Sequence, residues 1–174
     1  DSNFGLARRL LFSQVSVSEE HVHAVDNSKN PDETARAYEA KIRRIFHPEA
    51  VEFPRFDLVL LGLGNDGHTA SLFPGHSALA EDRRWVVPVF DAPKPPPVRV
   101  TMTLPVINHA RRVAFVAAGK GKADVVSNVL DPKDEQSILP ARLVNPTDGE
   151  LLWFLDRQAY PRDPARTGEE AKDG

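Results

Sequence analysis

Residues 57–61 (DLVLL), 113–118 (VAFVAA) and 151–155 (LLWFL) are short apolar runs in an otherwise mixed chain. The first two are continuous enough to predict strands of a parallel sheet covered on both faces, and the third a last short strand. Residues 84–90, with Trp85, Val86, Val87 and Val89, predict another strand, and Pro88 puts it at an edge or a strand end. Residues 98–103 alternate and are β-prone. Helical patterns lie between these runs. Asn30 fits an N-cap, Pro31 fits the first helical position, and Glu33 completes a capping-box-like arrangement. Ala35, Tyr38, Ile42 and Ile45 then form one apolar face of a helix over 31–46. Asp1, Ser2 and Asn3 suit a cap for a helix carrying Phe4, Ala7 and Leu11. Residues 105–109 suggest a short helix. Residues 119–122 (GKGK) turn the chain into a helix with Ala123, Val126 and Leu130 on one face. The proline-rich stretch 91–97 reads as a stiff, extended connector.

Alternating strands and helices predict an α/β fold: a doubly wound, mostly parallel, Rossmann-like sheet with helices on both faces. No internal repeat or second domain is visible. Residues 1–160 read as one domain, and the polar, mixed-charge stretch from Pro161 onward as a frayed tail. Such a sheet usually opens on a strand, whereas this chain opens on a helix cap. The first strands are therefore expected to be missing.

Composition narrows the function classes. With 174 residues, 41% hydrophobic and 27% charged, the chain is that of an ordinary globular domain. A net charge of −3 provides no general field for nucleic acid, so an anionic ligand must be held by a local cluster of cations. The absence of cysteine excludes disulfides and thiolate metal sites and fits a reducing compartment. No apolar run approaches membrane-spanning length, and no signal-peptide pattern opens the chain.

The chemistry concentrates in residues 62–75 (GLGNDGHTASLFPG), a glycine-rich turn directly after the 57–61 strand. In open α/β sheets, ligands bind at the carboxyl ends of strands. Gly64 and Gly67 let backbone approach a ligand closely. His68 is the candidate general base, because an unperturbed imidazole titrates near neutrality. Asp66 could orient that imidazole, bond a substrate hydroxyl, or serve only as a turn residue. Residues 62–67 also match the dinucleotide fingerprint G-x-G-x-x-G. Two features oppose that reading: Pro74 and Gly75 end any helix soon after the third glycine, and Asp66 would face a pyrophosphate. Asp66 and His68 have no third partner at metal-ligand spacing, so no metal site is assigned. Ser71 lies outside G-x-S-x-G, which leaves a serine nucleophile without support. Lys122, with help from Lys120, is the candidate phosphate contact in a glycine turn at a helix start. Arg99 is a second anion contact or a strand-edge charge. His21, His23, His47, His76 and His109 receive no role.

Residues 62–74, 91–101, 119–123 and 152–156 together resemble 6-phosphogluconolactonases, in the family's order along the chain. Residues 1–5 (DSNFG) resemble the segment just after that family's Asp-Glu-Arg motif. The resemblance implies a fold shared with glucosamine-6-phosphate deaminases, no obligatory cofactor, and hydrolysis of 6-phosphoglucono-1,5-lactone to 6-phosphogluconate in the cytoplasm. It implies that His68 activates water and that Lys122 and Arg99 lie at the substrate site, with Lys122 towards the phosphate; Asp66 is expected as a catalytic partner of His68, and Gly64, Gly67 and Asn3 as further substrate contacts. No nucleic acid or membrane partner is implied. The deaminases share the G-x-D-G-H turn, but continue to a glutamate used in proton transfer where this chain has Phe73. An amino-sugar-phosphate deaminase or a non-catalytic sugar-phosphate-binding module are the alternative readings. The resemblance also implies further residues before Asp1, with the first strands, a Gly-Gly-Ser phosphate loop and the Asp-Glu-Arg motif. Residues 1–160 would then be the C-terminal two-thirds of one domain, partnered by that segment or a fused domain. Residues 1–174 alone are expected to show weak or no activity, and an exposed apolar sheet edge.

Overall fold

The structure is a computed structural model. It describes residues 3–26, 30–46, 53–131 and 138–160. The Asp1 and Ser2 part of the first cap, His47, and the tail from Pro161 lie outside these residues.

In chain order the elements are α1 (Asn3–Ala7), α2 (Pro31–Phe46), β1 (Val59–Leu61), β2 (Val86–Val89), β3 (Arg99–Met102), α3 (Leu104–Asn108), β4 (Arg112–Ala117), α4 (Ala123–Leu130) and β5 (Glu150–Leu155). β1, β4 and β5 form a parallel sheet in the order β1-β4-β5. Val59 faces Val113, Leu61 faces Phe115, and Phe115 faces Trp153. β2 and β3 pair antiparallel in a separate ribbon. Pro88 is tolerated there because a two-stranded ribbon has only edges.

The parallel sheet buries one face. Val113 and Phe115 are fully buried, and the Phe115 ring stacks on Trp153 with centroids 4.3 Å apart. They join Leu61, Leu72, Phe73, Val87, Val89, Ile107 and Val126 in the main core, between the sheet, the ribbon, α3 and α4. The opposite face differs from the expectation of two covered faces. Leu60, Val116 and Phe154, which share that side by register, are exposed, as is Leu58. No described element packs over them. β1 is also an edge strand among the described residues.

Helix α2 begins as its sequence predicts. Asn30 Oδ1 accepts the Glu33 N–H at 2.9 Å and the Asn30 carbonyl accepts that of Thr34 at 2.9 Å. Its inward face holds Ala35, Tyr38 and Ile42, but Ile45 is exposed and Phe46 takes the final inward position, edge-on to Phe56. The face of α4 is likewise rotated: Val125, Val126 and Val129 are buried while Leu130 is exposed. α1 runs on through a π-helical segment, Arg8–Phe12, and buries none of its apolar residues. The 91–97 stretch is a closed loop and not an extended rod, since the Ala92 N–H bonds the Pro97 carbonyl at 2.9 Å.

Because Phe115 lies at the centre of the parallel register and is wholly buried, Phe115→Ala should lower unfolding free energy by about 3–5 kcal/mol. Denaturant titration measures this; a loss below 1 kcal/mol would contradict the packing described.

Candidate active site

The parallel register brings three C-terminal strand ends together. β1 delivers the glycine turn, β4 delivers Gly119 to Lys122, and β5 delivers Asp156. Asp156 accepts the Gly119 N–H at 3.0 Å, and also those of Gln158 and Ala159. These N–H bonds, Ala159's and Gly119's first, hold its carboxyl below the ordinary carboxylate range. Gly119 needs a residue without Cβ, for its φ is 90°. Lys122 then reaches across to the first turn: its Nζ donates to the Leu63 carbonyl and to Asn65 Oδ1, each at 2.7 Å.

The glycine turn is closed by its own backbone. Gly64 N–H bonds the His68 carbonyl at 2.8 Å and Gly67 N–H bonds that of Gly64 at 2.9 Å. The His68 N–H points to Asp66 Oδ1 at 3.3 Å. These three N–H groups are therefore engaged within the turn, and an oxyanion formed nearby would have to take its hydrogen bonds from other donors. What Gly64 provides is room. A Cβ there would lie 2.0 Å from His68 Nδ1 and 2.6 Å from Asp66 Oδ1. Gly67 has φ 77°, and its carbonyl accepts the Ala141 N–H at 3.0 Å, which fastens the turn to the 139–143 segment. No helix follows the third glycine; Thr69 and Leu72 form a tight bridge instead. The helix a dinucleotide site needs to meet a pyrophosphate is thus missing.

Asp66 and His68 meet side chain to side chain, with Asp66 Oδ1 2.5 Å from His68 Nδ1. This fixes Nδ1 as the protonated nitrogen, and Nε2, with no hydrogen-bond partner among the described residues, as the proton acceptor. The imidazole packs on Phe73, ring centroids 4.6 Å apart, and Phe73 is itself buried. The other Asp66 oxygen, Oδ2, lies 3.0 Å from Lys94 Nζ. Burial alone would raise the Asp66 carboxyl. The hydrogen bonds from His68 and Lys94, with the His68 N–H and charge, outweigh it and hold the group down at about 2. The sign follows: a depressed carboxyl stabilises the fold above its unfolded pKa, and that contribution is lost as pH falls through about 2.

Arg99, at the start of β3, spends Nε and Nη2 on the carbonyls of Pro96, Lys94 and Pro95, and its guanidinium lies 5.2 Å from the Phe73 ring centroid. It is the clasp of the proline loop as well as a cation at the site. His76, given no role from sequence, ties the same loop down: its Nε2 bonds Asp91 at 2.8 Å and its Nδ1 accepts the Ala78 N–H. Ser71 is buried, its N–H bonded to Thr101 Oγ1. Lys120 does not line the cleft.

The cleft over these strand ends has a volume of about 860 Å³ and is lined by Asn3, Gly64, His68, Lys94, Arg99 and Lys122 among others. That is ample for a small phosphorylated metabolite. Sequence reasoning missed Lys94 and Asn65. A lone lysine within a run of prolines was the available signal for the first, because a rigid loop aims whatever charge it carries. Among the described residues, no three His, Asp or Glu side chains converge as a metal site would require.

The open α/β fold thus brings an Asp-bonded histidine and three cations, Lys94, Arg99 and Lys122, to one cleft. The chain belongs to the glucosamine-6-phosphate isomerase/6-phosphogluconolactonase family, whose model matches residues 1–153. Its relatives include the 6-phosphogluconolactonases of Rattus norvegicus and Homo sapiens, each 46% identical over 91% of this chain and 60% of the relative. The chain thus spans about three-fifths of the length of these curated relatives. Among solved structures, the devB protein superposes with a TM-score of 0.82 at 34% identity, covering 91% of this chain and 65% of that one. The 6-phosphogluconolactonase of Trypanosoma cruzi superposes at 0.77 with 35% identity, covering 91% and 64%. A monomeric glucosamine-6-phosphate deaminase shares the fold at 20% identity and a TM-score of 0.65.

Gly64→Ala should expel the imidazole from Asp66 and cost about 1–3 kcal/mol by overpacking. Proton NMR would register this as loss of the hydrogen-bonded Nδ1–H resonance of His68. Its persistence would show that the turn accommodates the methyl group.

Proposed function

We propose that this chain carries the catalytic turn for hydrolysis of 6-phosphoglucono-1,5-lactone to 6-phosphogluconate. One observation carries the reading: an imidazole whose Nδ1 is bound to Asp66 while Nε2 is left for a water molecule at a cleft lined by cations. His68 Nε2 takes a proton from water as its oxygen attacks C1 of the lactone. The tetrahedral oxyanion collapses and expels the ring oxygen, which leaves as the C5 hydroxyl with the proton returned by His68. Water is added and no covalent intermediate forms. Lys122, with one ammonium hydrogen beyond its two bonds, and Arg99 attract the phosphate. Asn3 contributes at the rim.

The names of the relatives support the lactonase over the deaminase, and so does Phe73. Ring-opening deamination needs an additional proton carrier, and an apolar ring packed against the base cannot be one. The relatives' greater length supports reading residues 1–160 as the C-terminal part of a single domain, with further phosphate contacts supplied from elsewhere in it. A cytoplasmic location fits a metabolic hydrolase; among the described residues, no helix is long and apolar enough to cross a membrane.

In the protein at its natural length, His68→Ala should lower kcat for the lactone by about 10²–10⁴ with little change in KM. An unchanged kcat removes His68 from the chemistry. Binding of 6-phosphogluconate without any lactone turnover by the unaltered protein would favour the non-catalytic binding module.

A further inference from the structure

We infer that Lys94 is a positioning residue of this site, holding Asp66 so that His68 stays a neutral, correctly oriented base. The inference rests on the proposed role of His68, and its geometry is independent of the substrate. Asp66 is a bridge with both oxygens occupied: Oδ1 by His68 Nδ1 at 2.5 Å, Oδ2 by Lys94 Nζ at 3.0 Å. Each oxygen is thus tied to one partner, which sets the carboxylate as an orienter of the imidazole.

The need for Lys94 is electrostatic. A lone carboxylate beside an imidazole favours the charged imidazolium, and an imidazolium cannot accept a proton. An ammonium on the far oxygen divides the carboxylate's field and lessens that pull. The hydrogen bond to Nδ1, which sets the tautomer, is kept. The charged groups facing His68 come from four elements: Asp66 from its own turn, Lys94 from the 91–97 loop, Arg99 from β3 by way of Phe73, and Lys122 from the start of α4. Of these three cations, Lys94 is the one that shares Asp66. The loop that carries it is anchored at three points. Arg99 Nη2 donates to the Lys94 carbonyl at 2.7 Å, Ala92 N–H bonds Pro97, and Asp91 bonds His76. An otherwise half-exposed lysine is thereby delivered to one place. The depression of the Asp66 carboxyl, to which Lys94 contributes, agrees with this arrangement.

The test compares Lys94→Met and Lys94→Arg in the natural-length protein. NMR titration of the His68 imidazole serves as a readout that needs no turnover. Lys94→Met should move the His68 titration, and the acid limb of kcat/KM with it, to higher pH by about half a pH unit. That corresponds to about threefold lower kcat/KM on the acid side. KM should hold at pH values above the limb, and Lys94→Arg should restore the profile. An unmoved titration in folded Lys94→Met overturns the inference. So does a raised KM with an unmoved limb, which would make Lys94 a phosphate contact. If the imidazole titration shifts but the unaltered protein turns over no lactone, the positioning stands and the proposed reaction fails.

Discussion

The parallel pairing of β1, β4 and β5 is the constraint on which the site depends. Parallel strands point the same way, so the turns that leave them emerge at one edge of the sheet. Leu61 opposite Phe115, and Ala117 opposite Leu155, put the glycine turn, Gly119 and Asp156 side by side. A register slip of one residue would turn Phe115 and Trp153 out of the core and set the glycine turn against the wrong partner. The burial of Phe115 and the Phe115–Trp153 stack resist that slip. Packing and the geometry of the cleft are therefore fixed by the same pairs.

Within that frame, Asp66 is the local centre. It joins an imidazole from its own turn to an ammonium from a loop nearly thirty positions later. Glycine at 64 makes the meeting possible, because any side chain there would occupy the space of the imidazole. Lys122, just before α4, clamps the same turn through Leu63 and Asn65. Several charged side chains of the site thus hold its backbone together as well as facing the cleft. The arrangement is preorganised: the imidazole has its tautomer and orientation before a ligand arrives.

Much of this was legible in the sequence, for identifiable reasons. The apolar runs gave β1, β4 and β5, since an unbroken apolar run marks a sheet strand whether or not both of its faces are covered. Asn30 and Pro31 marked the start of α2 because capping is a local interaction. His68 and Lys122 reach one cleft because the glycine turns that carry them leave neighbouring parallel strands at the same end. What escaped depended on tertiary partners. Ile45 yields the inward position to Phe46 because Phe56 is there to receive a ring. The α4 face turns towards Val125 and Val129 because the core lies on that side. The proline stretch closes into a loop through Arg99, His76 and Asp91, contacts that no local pattern encodes. The uncovered face bearing Leu60, Val116 and Phe154 has the same cause: an apolar run reports that it can be covered, and not by what.

The central claim is that this turn presents a neutral, oriented base to water attacking a phosphorylated lactone. The most direct measurement follows freshly prepared 6-phosphoglucono-1,5-lactone by NMR with and without the protein at its natural length. Saturable loss of the δ-lactone well above its spontaneous rate, giving 6-phosphogluconate as the sole product, is the predicted result. Decay at the spontaneous rate in the presence of folded protein would contradict it.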